Sequence, residues 1–224
     1  MIMVWWATRG DGDPRLAGLL DDTERQRWET FRRQEDRDRF LVGAALAKAA
    51  VGEATGTDPF TITLDRTCGQ CGKPHGKPAA PGAELSISHS GDKIVVAVTE
   101  TTPLGVDVEQ IRSTRDLEGL GRYVLSETEH AVSEGDFFTI WTRKEAVTKA
   151  TGDGLRVPFQ EVIVSAADAP PRLLAWPYPE PPDTVWLRDL EAGPGYKAAV
   201  DVLGAVQAGL TQHDGTTLLN SLAR

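Results

Sequence analysis

Two alanine-rich stretches 101 residues apart carry matching residues, and this echo limits the fold more than any other feature of the chain. Phe40, Ala45, Lys48 and Ala49 correspond to Trp141, Ala146, Lys149 and Ala150 at one constant offset. Pro59-Phe60 precedes a strand-like segment, as Pro158-Phe159 precedes another. Alanine-rich helices match easily one residue at a time. The shared order of helix, Pro-Phe, strand and later strand pair is what argues for an internal repeat. The expected fold is α+β, a duplicated unit with pseudo-two-fold symmetry. Each half would be a small, mostly antiparallel sheet packed with a long helix. The halves are expected at residues 1–102 and 103–224, with a site at their junction.

A chain of 224 residues can bury a substantial core. The start, "MIMVWWATRGDGDP", breaks into charges and glycines too early for a signal peptide, and no apolar run has the length of a membrane span. The expectation is a soluble, cytoplasmic protein without a membrane partner. A net charge of −9 argues against nucleic-acid binding through overall positive charge, but leaves room for a small anionic ligand held by a local basic patch. The two cysteines, Cys68 and Cys71, form one C-x-x-C, too few for a disulfide framework and in keeping with a reducing compartment.

Periodicity and turn residues predict the elements. The arginine-rich stretch Glu24 to Phe40 reads as a helix running into "LVGAALAKAAVGEATG" and ending near Gly52 or Gly56. "DPFTITLDRT" reads as a strand, and "CGQCGKPHGKPAAPG" as a loop dense in Gly and Pro. "LSISHSG" and "KIVVAVTE" read as strands around a turn at Gly91-Asp92, and "LGVDVE" as a third. A helical region follows from about Arg115 to Ala150, broken near "SEGD", with a capping-box pattern in "SETE". "PFQEVIVSA", "VWLRDL" and "GYKAAVDVL" are further strand candidates, and the polar tail from Gln207 is unassigned.

Chemistry concentrates in three stretches. In "PLGVDVEQ", Val106 and Val108 share one face of a strand, so Asp107 and Glu109 share the other. Two such carboxylates repel by roughly 4 kcal/mol at 4 Å in an effective dielectric of about 20. In "FFTIWTRKEAVTKATGDGL", Trp141, Glu145 and Lys149 recur at helical spacing on one face, with Thr148 beside them. Alone, the Glu–Lys pair is an ordinary surface pair worth about 0.3–0.5 kcal/mol. Joined to the strand acids, it becomes a set of hard oxygen donors suited to Mg²⁺, which shares one or two carboxylates with substrate phosphates. In "SISHSGDKIVVAV", His89 stands between two serines. It is either a structural histidine or, with Lys77 and the arginines of the first helix, a grip for an anionic group. The C-x-x-C and His75 offer three donors where a structural zinc site wants four, so that stretch reads as a loop leading to Lys77.

The order "GKP", "ISHSG", "GVDVE", "WTRKEAVTKATGDGL" resembles the 4′-phosphopantetheinyl transferases of the surfactin type, from about Arg25 to Val202. The resemblance implies the duplicated fold. It also implies a monomeric, Mg²⁺-dependent enzyme that moves the phosphopantetheine arm of coenzyme A onto a serine of an apo acyl or peptidyl carrier protein and releases adenosine 3′,5′-bisphosphate. Carriers of fatty-acid, polyketide and non-ribosomal-peptide synthesis all fit it. Asp107, Glu109 and Glu145 would be the Mg²⁺ ligands, with Glu145 also the base and Lys149 stabilising charge on the pyrophosphate. Lys77, Ser88 and His89 would hold the adenosine 3′-phosphate and neighbouring groups, joined by Arg39, with Lys144 a further phosphate contact. The segment Ile111 to Leu125, with Arg112, Arg115 and Arg122, would meet the carrier. Two other readings stand beside this one: a non-catalytic module that binds coenzyme A or a nucleotide, and a Mg²⁺-dependent phosphohydrolase that needs no carrier.

Overall fold

The computed structural model describes residues 1–113, 117–179, 182, 184–205 and 207–223. Its strands are β1 (Ile2–Thr8), β2 (Asp65–Thr67), β3 (Pro74–Ala80), β4 (Ala83–Ser90), β5 (Lys93–Thr99), β6 (Leu104–Gln110), β7 (Ile163–Val164), β8 (Leu173–Ala175), β9 (Val185–Asp189), β10 (Tyr196–Leu203) and β11 (Leu210–Asp214). Its α-helices are α1 (Asp22–Thr30), α2 (Gln34–Thr55), α3 (Leu117–Val124), α4 (Glu134–Thr151) and α5 (Gly215–Leu222). The fold is α+β, in two compact units: Met1–Thr101 with Gly209–Arg224, and Thr102–Ala208. Residues 209–224 thus belong with the first unit, where an even division of the chain puts them in the second. No described helix is long and apolar enough to cross a membrane.

The first unit is a six-stranded sheet in the order β11-β1-β5-β4-β3-β2, with α2 packed on it. Strand β5 is a β-branched run whose residues Ile94 to Val98 are all buried. It turns back from β4 through Gly91-Asp92, with Gly91 at φ 56°, so glycine stands where a primed two-residue turn needs it. Helix α2 buries Leu41, Val42, Ala44, Ala45, Leu46 and Ala47 in one core cluster with Leu85, Ile94, Val96 and Val98 of the sheet and Leu16, Leu19 and Leu219. It ends at Gly56 in the left-handed conformation (φ 71°), one of the two expected stops; Gly52 lies inside it.

Several elements of this unit differ from the sequence reading. The arginine-rich helix is two helices, because Phe31 leaves the helical conformation at the end of α1. Trp28 donates to the Arg37 carbonyl at 3.1 Å and lies under the Arg37 guanidinium, which folds α1 back on the start of α2. In "DPFTITLDRT", Asp58 caps a turn of 3₁₀ helix, Ile62 and Leu64 plug the core, and only Asp65–Thr67 is strand. The supposed Gly- and Pro-rich loop contains β3, paired with β2 and β4. Strand β1, which the sequence reading did not assign, is central, pairing antiparallel with β5 and parallel with β11.

The second unit is the antiparallel sheet β6-β10-β9 with α4 against it, and a short hairpin of β7 and β8. Ser133 caps α4 by accepting from Asp136 N at 3.1 Å. "SETE" starts no helix; it forms a turn in which Ser126 N donates to Glu129 at 2.9 Å. "PFQEVIVSA" is a 3₁₀ turn followed by a strand of two residues.

Strand β11 and Leu219 of α5 complete the first unit's sheet and core. Removing residues 209–224 should therefore leave β1 an open edge and forfeit about 2 kcal/mol from Leu219 alone. The expected result is a lowered thermal midpoint with aggregation, followed by circular dichroism and light scattering.

Candidate active site

The acidic strand and the lysine-bearing helix meet at a glycine. Gly105, Asp107 and Glu109 alternate onto one face of β6. A Cβ on Gly105 would lie 2.0 Å from the Ala146 carbonyl oxygen and 2.9 Å from Lys149 Cβ, so this face is the one α4 crosses. Val106 and Val108, on the other face, are fully buried. The close approach lets Lys149 Nζ donate to Asp107 Oδ1 at 2.6 Å. Asp107 is only 2% exposed, so the pair is a buried ion pair on the strand side, with part of the lysine side chain accessible. Glu145 lies one helical turn before Lys149, on the same side of α4.

Electrostatics couple these groups. Burial pushes the Glu145 carboxyl up to about 7; Lys149 pulls it back, and Asp107 and Glu109 add to the rise. Burial alone would lower the Lys149 ammonium, but Asp107 and Glu145 outweigh it and hold the lysine above its usual range. Three carboxylates thus act on Lys149, and Glu109 also lies 3.9 Å from Arg112. Hard oxygen donors of this kind fit a hard divalent cation. They are not tightly gathered: among the described residues, the set of three donors lying within 4.8 Å of one another is Cys68, Cys71 and His75.

Lys144, expected as a phosphate contact, is a structural residue. It is fully buried and donates to the Val124 carbonyl at 2.6 Å, the Phe159 carbonyl at 2.8 Å and Glu129 Oε2 at 2.5 Å, which occupies all three of its protons. Glu129 also accepts from Ser126 N and Val164 N, so the pair ties the turn before α4 to β7. Arg143 is likewise buried, reaching Asp189 and the carbonyls of Ser165, Ala166, Ala167 and Ala169. Trp141 packs between Phe137 and Phe159. Of the motif's helix residues, Glu145 and Lys149 are thus the ones placed beside the strand acids. The sequence signal for the anchoring roles of Arg143 and Lys144 is absent, because their partners lie 15 to 46 positions away.

In the first unit, the candidate anion-binding residues divide between the two ends and the two faces of β4. Leu85 and Ile87 face α2, and His89, two residues on, is exposed at the strand end. Arg39, one turn before Gly43 on α2, reaches the Gly91 carbonyl at 3.3 Å in the turn after β4. Ser88 is buried and alternates to the other face. Lys77 on β3 contacts Glu84 at 3.8 Å, which places it with the even-numbered positions of β4. Arg112 is exposed and 3.9 Å from Glu109, Arg122 is exposed on α3, and Arg115 lies outside the described residues.

Comparison with known proteins gives the family. Residues 103–200 match the 4′-phosphopantetheinyl transferase superfamily, and residues 6–101 match the N-terminal part of a 4′-phosphopantetheinyl transferase. A 4′-phosphopantetheinyl transferase of Bacillus subtilis is 29% identical over 194 residues, 84% of each chain. The transferase HetI of Nostoc is 30% identical over 173 residues, 71% of this chain and 70% of its own. The transferase Sfp of Bacillus subtilis strain 168 is 27% identical over 194 residues, 83% of each chain. The chain belongs to the 4′-phosphopantetheinyl transferase superfamily and is an enzyme of the kind for which the superfamily is named.

Two outcomes test the geometry. Gly105→Ala forces α4 off β6 and should cost about 1–3 kcal/mol or more, with loss of the site, measured by urea unfolding and turnover. Glu145 binds its proton more tightly folded than unfolded, so without metal, stability should fall as pH rises from about 4.5 to about 7. The drop should be about 3 kcal/mol at most and should be flattened in Glu145→Gln, measured by urea unfolding in chelator across that range.

Proposed function

We propose that this enzyme transfers the 4′-phosphopantetheine arm of coenzyme A to a serine hydroxyl of an apo acyl or peptidyl carrier protein, releasing adenosine 3′,5′-bisphosphate. The observation that carries the reading is the coupled cluster of Asp107, Glu109, Glu145 and Lys149, in which buried Asp107 and two half-buried acids surround a partly accessible lysine. Asp107, Glu109 and Glu145 are the residues that would hold Mg²⁺. When bound, the ion supplies neutralising charge to the coenzyme A pyrophosphate. With its carboxyl raised to about 7, Glu145 is partly ionised near neutral pH, and that carboxylate form is suited to take the proton of the attacking serine. Lys149, kept charged by its acidic neighbours, stabilises the negative charge that develops on the leaving phosphate. The remaining task is positioning, which phosphoryl transfer rewards more than covalent assistance.

Arg39, Lys77, Ser88 and His89 are assigned to the adenosine 3′-phosphate and its neighbours. The support is that Arg39 reaches the Gly91 turn that ends β4, where His89 is exposed. The carrier is assigned to α3 and the segment before it, where Leu120 and Tyr123 are exposed beside Arg122, with Arg112 nearby in sequence. Exposed apolar and basic groups together suit the acidic helix of a carrier. The enzyme is taken to act as a monomer in the cytoplasm, where coenzyme A and apo carriers are available.

Incubating an apo carrier with the protein, coenzyme A and Mg²⁺ should add the mass of one phosphopantetheine, read by intact-mass analysis, and EDTA should prevent it. Asp107→Ala should abolish the gain while the fold survives. Lys149→Ala should lower kcat far more than coenzyme A affinity. His89→Ala should raise KM for coenzyme A but not for its analogue lacking the 3′-phosphate. No mass gain on fatty-acid, polyketide or peptide carriers, with coenzyme A still bound, would replace the reading with a binding module. Product release without any carrier would replace it with a phosphohydrolase.

A further inference from the structure

We propose that Cys68, Cys71 and His75 form a zinc site that clips together the two strands at the outer edge of the first unit's sheet. The spacing C-x-x-C-x-x-x-H puts two thiols and an imidazole on one tight turn. Their ligand atoms all lie within 4.8 Å of one another, and Cys71 Sγ is 2.9 Å from His75 Nε2. Neither cysteine is in a disulfide. The backbone is already shaped for the task. Gly72 takes φ 69°, its N–H donates to the Cys68 carbonyl at 2.8 Å, and Cys68 N donates to the Lys73 carbonyl at 2.8 Å. Thr67 pairs with Pro74 immediately outside this loop, so the donors converge at the tip of the β2–β3 hairpin.

The donor chemistry selects the ion. Thiolate sulfur with imidazole nitrogen favours Zn²⁺ over Mg²⁺, whereas the carboxylates around Lys149 favour the reverse. Three protein ligands leave one position of the tetrahedron for water, so the site is exchangeable rather than sealed. The hairpin needs such a clip. Strand β2 has only three residues, its pairing with β3 shifts register between Asp65 and Thr67, and it stands at the sheet edge. A short edge hairpin of this kind is marginal by itself. His75 lies two residues from Lys77 on β3, so zinc would also fix the strand that carries this lysine.

The test uses the full-length protein, kept reduced, stripped by chelator and dialysed against Zn²⁺. The expected zinc content is close to one per chain, unaffected by excess Mg²⁺, and near zero in Cys68→Ser/Cys71→Ser. Co²⁺ should give the thiolate charge-transfer and tetrahedral ligand-field bands, and His75→Ala should weaken Co²⁺ binding by about tenfold or more. Hydrogen exchange should slow in residues 65–80 when zinc is added. Wild-type protein that holds no zinc while its thiols titrate as reduced would overturn the proposal. Equal zinc in wild type and the double serine variant would overturn it too, as would Co²⁺ spectra without thiolate bands. The wild-type arms decide the question even if the serine variant fails to fold.

Discussion

Helix α4 can lie against β6 only because position 105 has no side chain. A single methyl group there would fall 2.0 Å from the helix backbone, deep inside van der Waals contact. That absence sets the distance between helix and strand, and the distance sets the chemistry. Lys149 reaches Asp107, Glu145 comes under the influence of both strand acids, and Ala146 and Val147 close over Ala199 and Leu187 in the core beneath. Packing and electrostatics are therefore not independent here. The same contact that buries apolar surface also forces like charges together, and the lysine is what makes that tolerable.

Buried cations recur in the fold, and their surroundings sort them by use. Lys48 is fully buried, bound to Glu24 at 2.7 Å and to the Leu19 carbonyl at 2.6 Å. Lys144 is closed off in the same way by Glu129 and two carbonyls. Removing one partner of such a pair strands a charge in a low-dielectric interior, typically at about 3–5 kcal/mol. Lys144 has no proton left to offer a ligand, and Lys48 is sealed from one by its burial. Lys149 differs, because its side chain is 26% exposed and its partner belongs to the acid cluster. Three lysines on two long helices thus divide into two rivets and one that keeps an accessible side.

The sequence carried the local features well where a feature depends on neighbours in the chain. Strand alternation put Asp107 and Glu109 on one face, and helical spacing put Glu145 and Lys149 on one side of α4. The Gly91-Asp92 turn and the left-handed Gly56 follow from the same local rules. What could not be read depends on residues far away. Lys144 looks like any basic residue beside a glutamate until Glu129 and Phe159 close around it. Strand β1 has no partner near it in sequence, and its place inside the sheet rests on β5 and on a strand more than 200 positions later. The break after Thr30 needed the Trp28–Arg37 contact, and β3 needed β4 beside it to become strand despite its prolines.

The parallel pairing of β1 with β11 has a bearing on how the chain comes to be folded. The second strand of that pair emerges from the ribosome after every residue of the unit spanning Thr102–Ala208. The sheet containing β1 through β5 must therefore wait, with its β1 edge unsatisfied, while about half the chain is still being made. The intervening unit is continuous in sequence and can fold on emergence. The first unit to begin is the last to be completed, and for that interval an edge of backbone donors and acceptors is open to the wrong partner.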